Sequence, residues 1–203
     1  SIDSGEFVFI VGPSGAGKST IVKLLIKEEA PTEGDIIFNS ESVLDIPRDE
    51  ISKLRRKIGV VFQDFKLLES KSVYDNVAIA LEVVDASDEE VKDIVPNILS
   101  LVGLSKQADR LPKELSGGEK QRVSIARALA HEPDVLIADE ATGMIDPGSA
   151  DEVVEILEKI NSLGTTVIMA THDMRIVDKL PKRVIRIEDG KLVSDQIGGK
   201  YNG

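Results

Sequence analysis

The sequence predicts an α/β domain: a mostly parallel sheet covered by helices, with a helical lobe inserted between its strands. Three observations carry this. Short apolar runs, FVFIV at 7–11 and VLIA at 135–138, read as strands buried on both faces. Segments of helical spacing alternate with such runs, as strand–helix–strand units require. Between about Ser70 and Pro112 the pattern becomes almost wholly helical. The 203 residues suffice for one large domain, and a chain of that size buries roughly 70% of the surface its unfolded form exposes.

The elements follow in order. Strand Phe7–Val11 stops at Gly12. A helix spans Thr20 to Lys27, with Ile21, Leu24, Leu25 and Ile26 as its apolar positions and Pro31 closing it. Asp35–Phe38 and Ile58–Phe62 read as further strands. Ser87 and Glu90 form a capping box for a helix running to about Val102, with Gly103 as its stop. Pro96 inside that helix predicts a kink or a break. Glu119–Ala130 is helical and ends before Pro133, and strand Val135–Ala138 follows. Ser149–Leu163 carries Val153, Leu157 and Ile160 on one face, with Gly164 as C-cap. Strand Thr166–Ala170, helix Asp173–Leu180 and a hairpin over Arg183–Ser194 turning at Asp189-Gly190 complete the chain. The tail from Gly198 to Gly203 is expected to fray.

Composition narrows the function. There are 25 Lys+Arg against 36 Asp+Glu, a net charge of −11, which disfavours nucleic acid or an anionic membrane surface as partner. The absence of cysteine excludes disulfides, thiolate metal sites and cysteine nucleophiles. No apolar run approaches the ~18 residues of a membrane span, so a membrane role is expected to come through a partner.

Gly12-Pro13-Ser14-Gly15-Ala16-Gly17-Lys18-Ser19 satisfies G-x-x-x-x-G-K-[ST] and lies between a strand and a helix. The glycines let backbone N–H groups turn inward around phosphate oxygens, and the following helix points its positive end at the same anion. Lys18 is placed for the β- and γ-phosphates and the Ser19 hydroxyl for Mg²⁺. Chance alone produces this pattern in roughly one chain in a hundred of this length. The alternative, a turn that merely joins strand to helix, is the weaker reading.

Asp139 and Glu140 follow the apolar strand at its carboxyl end, where open α/β sheets bind ligands. Neighbouring residues on a strand point opposite ways, which suits two roles: Asp139 in the Mg²⁺ shell, Glu140 as general base toward a water. Leu115-Ser116-Gly117-Gly118-Glu119 opens a helix and offers a second anion site at its N-terminus. Alone, it reads as an ordinary cap, Ser116 with Glu119 completing the box. Beside a complete phosphate loop, it points to a second nucleotide or a second subunit.

Taken together, Ser14–Thr20, Gln63, LSGGEKQR at 115–122, Asp139-Glu140 and His172 resemble, in kind and order, the ATP-binding-cassette ATPases. The resemblance covers essentially the whole chain, and LSGGEKQR is its most diagnostic part. It implies a P-loop NTPase core over 1–69 and 113–203 with a helical subdomain over 70–112, all one ATPase domain spanning 1–203. It implies an ATP-dependent homodimer. Each ATP would lie between Gly12–Thr20 of one copy and Leu115–Glu119 of the other. It implies Mg²⁺ held by Ser19, Gln63 and Asp139, catalysis by Glu140 with His172 and Gln63, and Asp146 at the dimer interface. His131 receives no catalytic role.

Phe62–Leu68, Val73–Ala78 and Met169–Asp173 are similar to the cell-division branch of this family. That implies a cytoplasmic ATPase, peripheral on the inner face of the plasma membrane through an integral FtsX-like partner. Such a pair regulates peptidoglycan hydrolysis. Lipoprotein-release and efflux ATPases are the alternative, as is a slow nucleotide-gated dimerisation switch. Two departures stand out. Ala141 replaces the family's usual Pro, and Met144-Ile145 its Asn-Leu. The family also carries two strands before the first strand seen here, including an adenine-stacking aromatic. The chain is therefore expected to lack N-terminal strands, to leave a sheet edge unpaired and to bind nucleotide weakly. Phe7 and Phe9 are expected in the core instead.

Overall fold

A computed structural model describes residues 1–201. Its strands are β1 (Phe7–Val11), β2 (Ile37–Phe38), β3 (Glu41–Ser42), β4 (Ile58–Val61), β5 (Val135–Asp139), β6 (Thr166–Thr171), β7 (Arg183–Glu188) and β8 (Lys191–Gln196). The helices are α1 (Lys18–Leu25), α2 (Ile51–Lys57), α3 (Val73–Glu82), α4 (Asp88–Leu101), α5 (Gly117–Leu129), α6 (Pro147–Ser162) and α7 (Met174–Lys179). Six strands form one sheet in the order β4-β5-β6-β1-β7-β8, while β2 and β3 pair with each other. Within the six-stranded sheet every pairing from β4 to β7 is parallel and the β7–β8 hairpin is antiparallel, as is the separate β2–β3 pair.

The two-residue period of a strand divides the core between the faces. Phe7, Phe9, Val11, Leu136, Ala138, Val167 and Met169 pack against the helices α3 to α7. Ile10, Ile137, Ile168 and Ala170 face the other way, onto Val22 of α1, Ile26 just after it and Leu54 of α2. Phe7 and Phe9 are core residues, as expected. β1 is a central strand between β6 and β7, and the edges of the six-stranded sheet are β4 and β8.

Pro96 neither breaks nor ends α4, which runs unbroken from Asp88 to Leu101. The proline is exposed on the outer side of the helix, where water can satisfy the carbonyl its missing N–H leaves free. The strand expected over Asp35–Phe38 shrinks to the two residues of β2. Helix α2 lies in a stretch where no element is expected. Both α5 and α6 begin two residues early, because Ser116 and Asp146 act as their N-caps. Of the tail, Asn202 and Gly203 lie outside the described residues. Tyr201 is tied down, its N–H donating to Asp178 Oδ1 at 2.8 Å.

Candidate functional site

The carboxyl ends of β1, β5 and β6 meet at one point of the sheet, and the chemistry-bearing side chains gather there. After β1 the chain turns through Gly12, Gly15 and Gly17, all at positive φ. Gly12 is sterically obligatory: a Cβ there would lie 2.1 Å from the Ile187 carbonyl oxygen. The β7–β8 turn also braces the loop, the Gly190 N–H donating to Ala16 O at 3.1 Å. No side chain caps α1, whose N-cap is Gly17, so its first N–H groups are left for an anion.

Lys18 is buried, and its Nζ donates to Gly12 O at 2.8 Å and Pro13 O at 3.1 Å. It also stands 3.5 Å from Glu140 Oε1. The ammonium is thus held inside its own loop, facing the acidic pair. Asp139 ends β5. Burial pushes its carboxyl above the usual range, the Ser19 hydroxyl bond opposes this, and the Glu140 charge adds to it. Its Oδ1 is buried without a partner. A buried carboxylate oxygen without a donor, next to a serine hydroxyl, is a hard-oxygen pair that fits Mg²⁺, which takes one or two protein ligands and leaves the rest to phosphate and water.

Glu140 leaves the strand by a left-handed turn, φ 51°, with its N–H on Ala170 O at 2.9 Å. This turn, rather than strand alternation, separates it from Asp139. Its Oε2 lies 2.7 Å from His172 Nδ1. Glu140 is 16% exposed and His172 61%, so the pair spans the wall and the mouth of a 590 Å³ cleft that Thr142, Gly143, Thr171 and Asp173 also line. Gln63, exposed just after β4, rests against the loop that follows Glu140. A Cβ on Gly143 would come within 2.8 Å of its Nε2. A larger, 640 Å³ cleft lies away from these groups, between α1 and the sheet residues Ile10, Ile137 and Ile168.

The second anion motif forms its own cluster. Ser116 Oγ accepts from the Glu119 N–H at 3.2 Å, and the Ser116 N–H donates to Glu119 Oε2 at 2.8 Å. The cap and the helix N-terminus therefore coexist. Leu115 is buried beneath the turn. Asp146, the candidate interface residue, caps α6 within its own chain. Its Oδ1 accepts from the N–H groups of Gly148 and Ser149 at 3.1 Å each, and its Oδ2 from Ser149 Oγ at 2.6 Å. These bonds, led by the Ser149 hydroxyl, hold its carboxyl below the usual range. Among the described residues no hydrogen bond joins Leu115–Glu119 to Gly12–Thr20. Lys18, Ser19, Asp139, Glu140 and His172 are brought together, Gln63 reaches them through Gly143, and the serine–diglycine turn stands apart.

Sequence reasoning misses the residues that organise the Gln63 loop. Asn76, fully buried on α3, accepts from the Leu68 N–H at 2.8 Å and donates to the carbonyls of Leu68, Lys71 and Ser72. Arg127 on α5 reaches the same loop. His131 lies beyond the far end of α5, with burial, and then Arg56, lowering its pKa.

The chain is similar to known proteins over nearly all its length. A family model described as ABC transporter matches residues 1–143. The cell division ATP-binding protein FtsE of Bacillus subtilis is 53% identical over 99% of this chain and 88% of its own. The methionine import ATP-binding protein MetN of Ralstonia nicotianae is 45% identical over 95% of this chain and 55% of its own. In structure, the ATP-binding cassette MJ0796, solved as a post-hydrolysis dimer bound to ADP and Pi, superposes with a TM-score of 0.86. That match, at 36% identity, covers 100% of this chain and 88% of the other. With the phosphate loop, the acidic pair and the serine–diglycine helix start each in place, the chain belongs to the ABC transporter family as an ATP-binding, ATP-hydrolysing domain.

Proposed function

We propose that this ATPase works as a homodimer that closes on ATP, each nucleotide held by the loop 12–20 of one copy and the turn 115–119 of the other. The observation that carries this is the separation of the two anion sites within one chain, so that neither alone encloses a triphosphate. Core 1–69 with 113–203 would present the loop, and 70–112 would form the helical subdomain beside Gln63.

In this reading Gly12–Thr20 wraps the phosphates with backbone N–H groups. Lys18 gives up its carbonyl partners to neutralise the β- and γ-phosphate oxygens. Ser19, Asp139 and Gln63 would hold Mg²⁺, which supplies charge neutralisation across the phosphates when bound. Glu140 takes a proton from the attacking water as its oxygen bonds to the γ-phosphorus and ADP leaves. His172 orients Glu140 through the Nδ1–Oε2 contact and lies at the mouth where the γ-phosphate would sit. Asp146 keeps its cap while its loop faces the second copy.

The 53% identity to a cell-division protein supports a role there, with an FtsX-type integral membrane partner and a site on the inner face of the membrane regulating peptidoglycan hydrolysis. The 45% identity to MetN favours a second reading, an importer or related transporter as partner. Among the described residues no helix is long and apolar enough to cross a membrane. Co-purification from membranes separates the two by the integral protein recovered.

Glu140→Gln tests the site. Turnover should fall by at least about a hundredfold, while Mg·ATP shifts the variant from monomer to dimer in gel filtration. A variant that hydrolyses ATP at the wild-type rate, or stays monomeric at saturating ATP, overturns the proposal.

A further inference from the structure

The loop that carries Gln63 is gripped from behind. Phe65 and Lys66 both sit at positive φ, 56° and 48°, an uncommon conformation for residues with a Cβ. At each such residue the conformation costs free energy that its surroundings must offset. Arg127 supplies that constraint: its guanidinium donates to Lys66 O at 2.7 Å and to Phe65 O at 3.0 Å. The side chain is partly buried, and burial lowers its pKa. One turn and a half earlier on the same helix, fully buried Gln121 points its Nε2 at Phe62 O, 3.5 Å away. The Lys66 ammonium lies 3.8 Å from the centre of the Phe62 ring, folding the loop onto its own stem.

Helix α5 therefore touches the loop on both sides of Gln63, at Phe62 and at Phe65–Lys66. Ser116 caps it, and Gly117-Gly118 open its first turn. We infer that Arg127 is a positioning residue for hydrolysis, setting Gln63 from the helix whose N-terminus serves the other copy's nucleotide. This rests on the role proposed above for Gln63. A shift of α5 as the dimer closes is then passed to the backbone at Phe65–Lys66 through a planar, two-bond fork, two residues from Gln63. A lysine at 127 keeps the charge but not the fork, and satisfies one carbonyl at a time.

The test is a double-mutant cycle in steady-state ATPase assays of the full chain, using Arg127→Met, Gln63→Ala and the double variant. Arg127→Met should lower kcat about tenfold with KM for ATP within about twofold, the signature of lost positioning. In the Gln63→Ala background the same change should have little further effect. Arg127→Lys should recover part of the loss and serves where the methionine variant folds poorly. Wild-type turnover by Arg127→Met beside a slowed Gln63→Ala overturns the inference and leaves the Gln63 role standing. Equal losses from Arg127→Met in both backgrounds also overturn it. Wild-type turnover by Gln63→Ala removes the Gln63 role itself, and the inference with it.

Discussion

Gly118→Ala reverses the usual effect of replacing a helical glycine. In an open helix the change stabilises by up to about 1 kcal/mol. At Gly118 the added Cβ would lie 2.4 Å from Ser149 Oγ and 2.5 Å from Ser149 Cβ, whereas the nearest backbone atom, Ser149 Cα, is 3.7 Å away. Overpacking of this kind costs about 1–3 kcal/mol. Contacts this short, one of them to a Cβ fixed on the backbone, take the upper part of that range, about 2–3 kcal/mol, so after the propensity gain the net loss is about 1–2 kcal/mol, or roughly 2–8 °C in melting temperature for a chain of this size. Gly117→Ala is the internal control, because its Cβ meets nothing closer than Ile145 Cγ2 at 3.4 Å and should leave the melting temperature level or raised.

Ser149→Gly completes the cycle. It removes both clashing atoms at the expense of the Ser149 Oγ bond to Asp146 Oδ2, so alone it should destabilise by about 1–2 kcal/mol. Combined with Gly118→Ala it should recover about 1–2 kcal/mol of coupling. The assay is calorimetric or circular-dichroism melting without nucleotide. Additive effects, or a Gly118→Ala chain that melts at or above the wild type, refute the claim that the α5 and α6 starts are locked together by contact.

Two further outcomes follow from the hydrogen bonds. Asn76→Ala leaves the polar groups of Leu68 and Lys71 without their partner and should cost about 2–4 kcal/mol, with limited proteolysis opening new cleavage between Asp64 and Lys71. Asp195, whose pKa is lowered chiefly by its Arg183 hydrogen bond, contributes stability above its unfolded value of 3.8 and loses it as pH falls through its lower folded value. Asp195→Asn should therefore melt roughly 1–3 °C lower at pH 7, and melting curves in acid should converge with the wild type.

What the sequence made legible was local. The phosphate loop, the strand-end carboxylates and the two capping boxes at Ser87 and Ser116 are each set within eight residues, and all lie where expected. Asp146-Pro147 is equally local as a helix start, yet the predicted helix begins at Ser149, two residues past the observed start of α6. Elements of two residues, such as β2 and β3, carry too little periodicity to read. Contacts such as Gly12 with Ile187 or Arg127 with Phe65 depend on strand order and helix placement, which no single-chain pattern encodes. Even the separation of Asp139 from Glu140 has a different cause from the expected one, a left-handed residue held by Ala170 O.

That left-handed residue helps pair the charges of the site with one another. Glu140 is fixed at its backbone by Ala170, at one carboxylate oxygen by His172, and faces Lys18 with the other. Lys18 in turn holds the carbonyls of Gly12 and Pro13, positions that lie inside the anion cradle. A triphosphate entering the cradle competes for the same ammonium with several negative oxygens against one carboxylate, and the local field favours the phosphates. As Lys18 turns to them, Glu140 Oε1 loses its counter-charge while Oε2 stays oriented. In the role proposed for Glu140, Oε1 is then left to face the water while His172 keeps Oε2 in place.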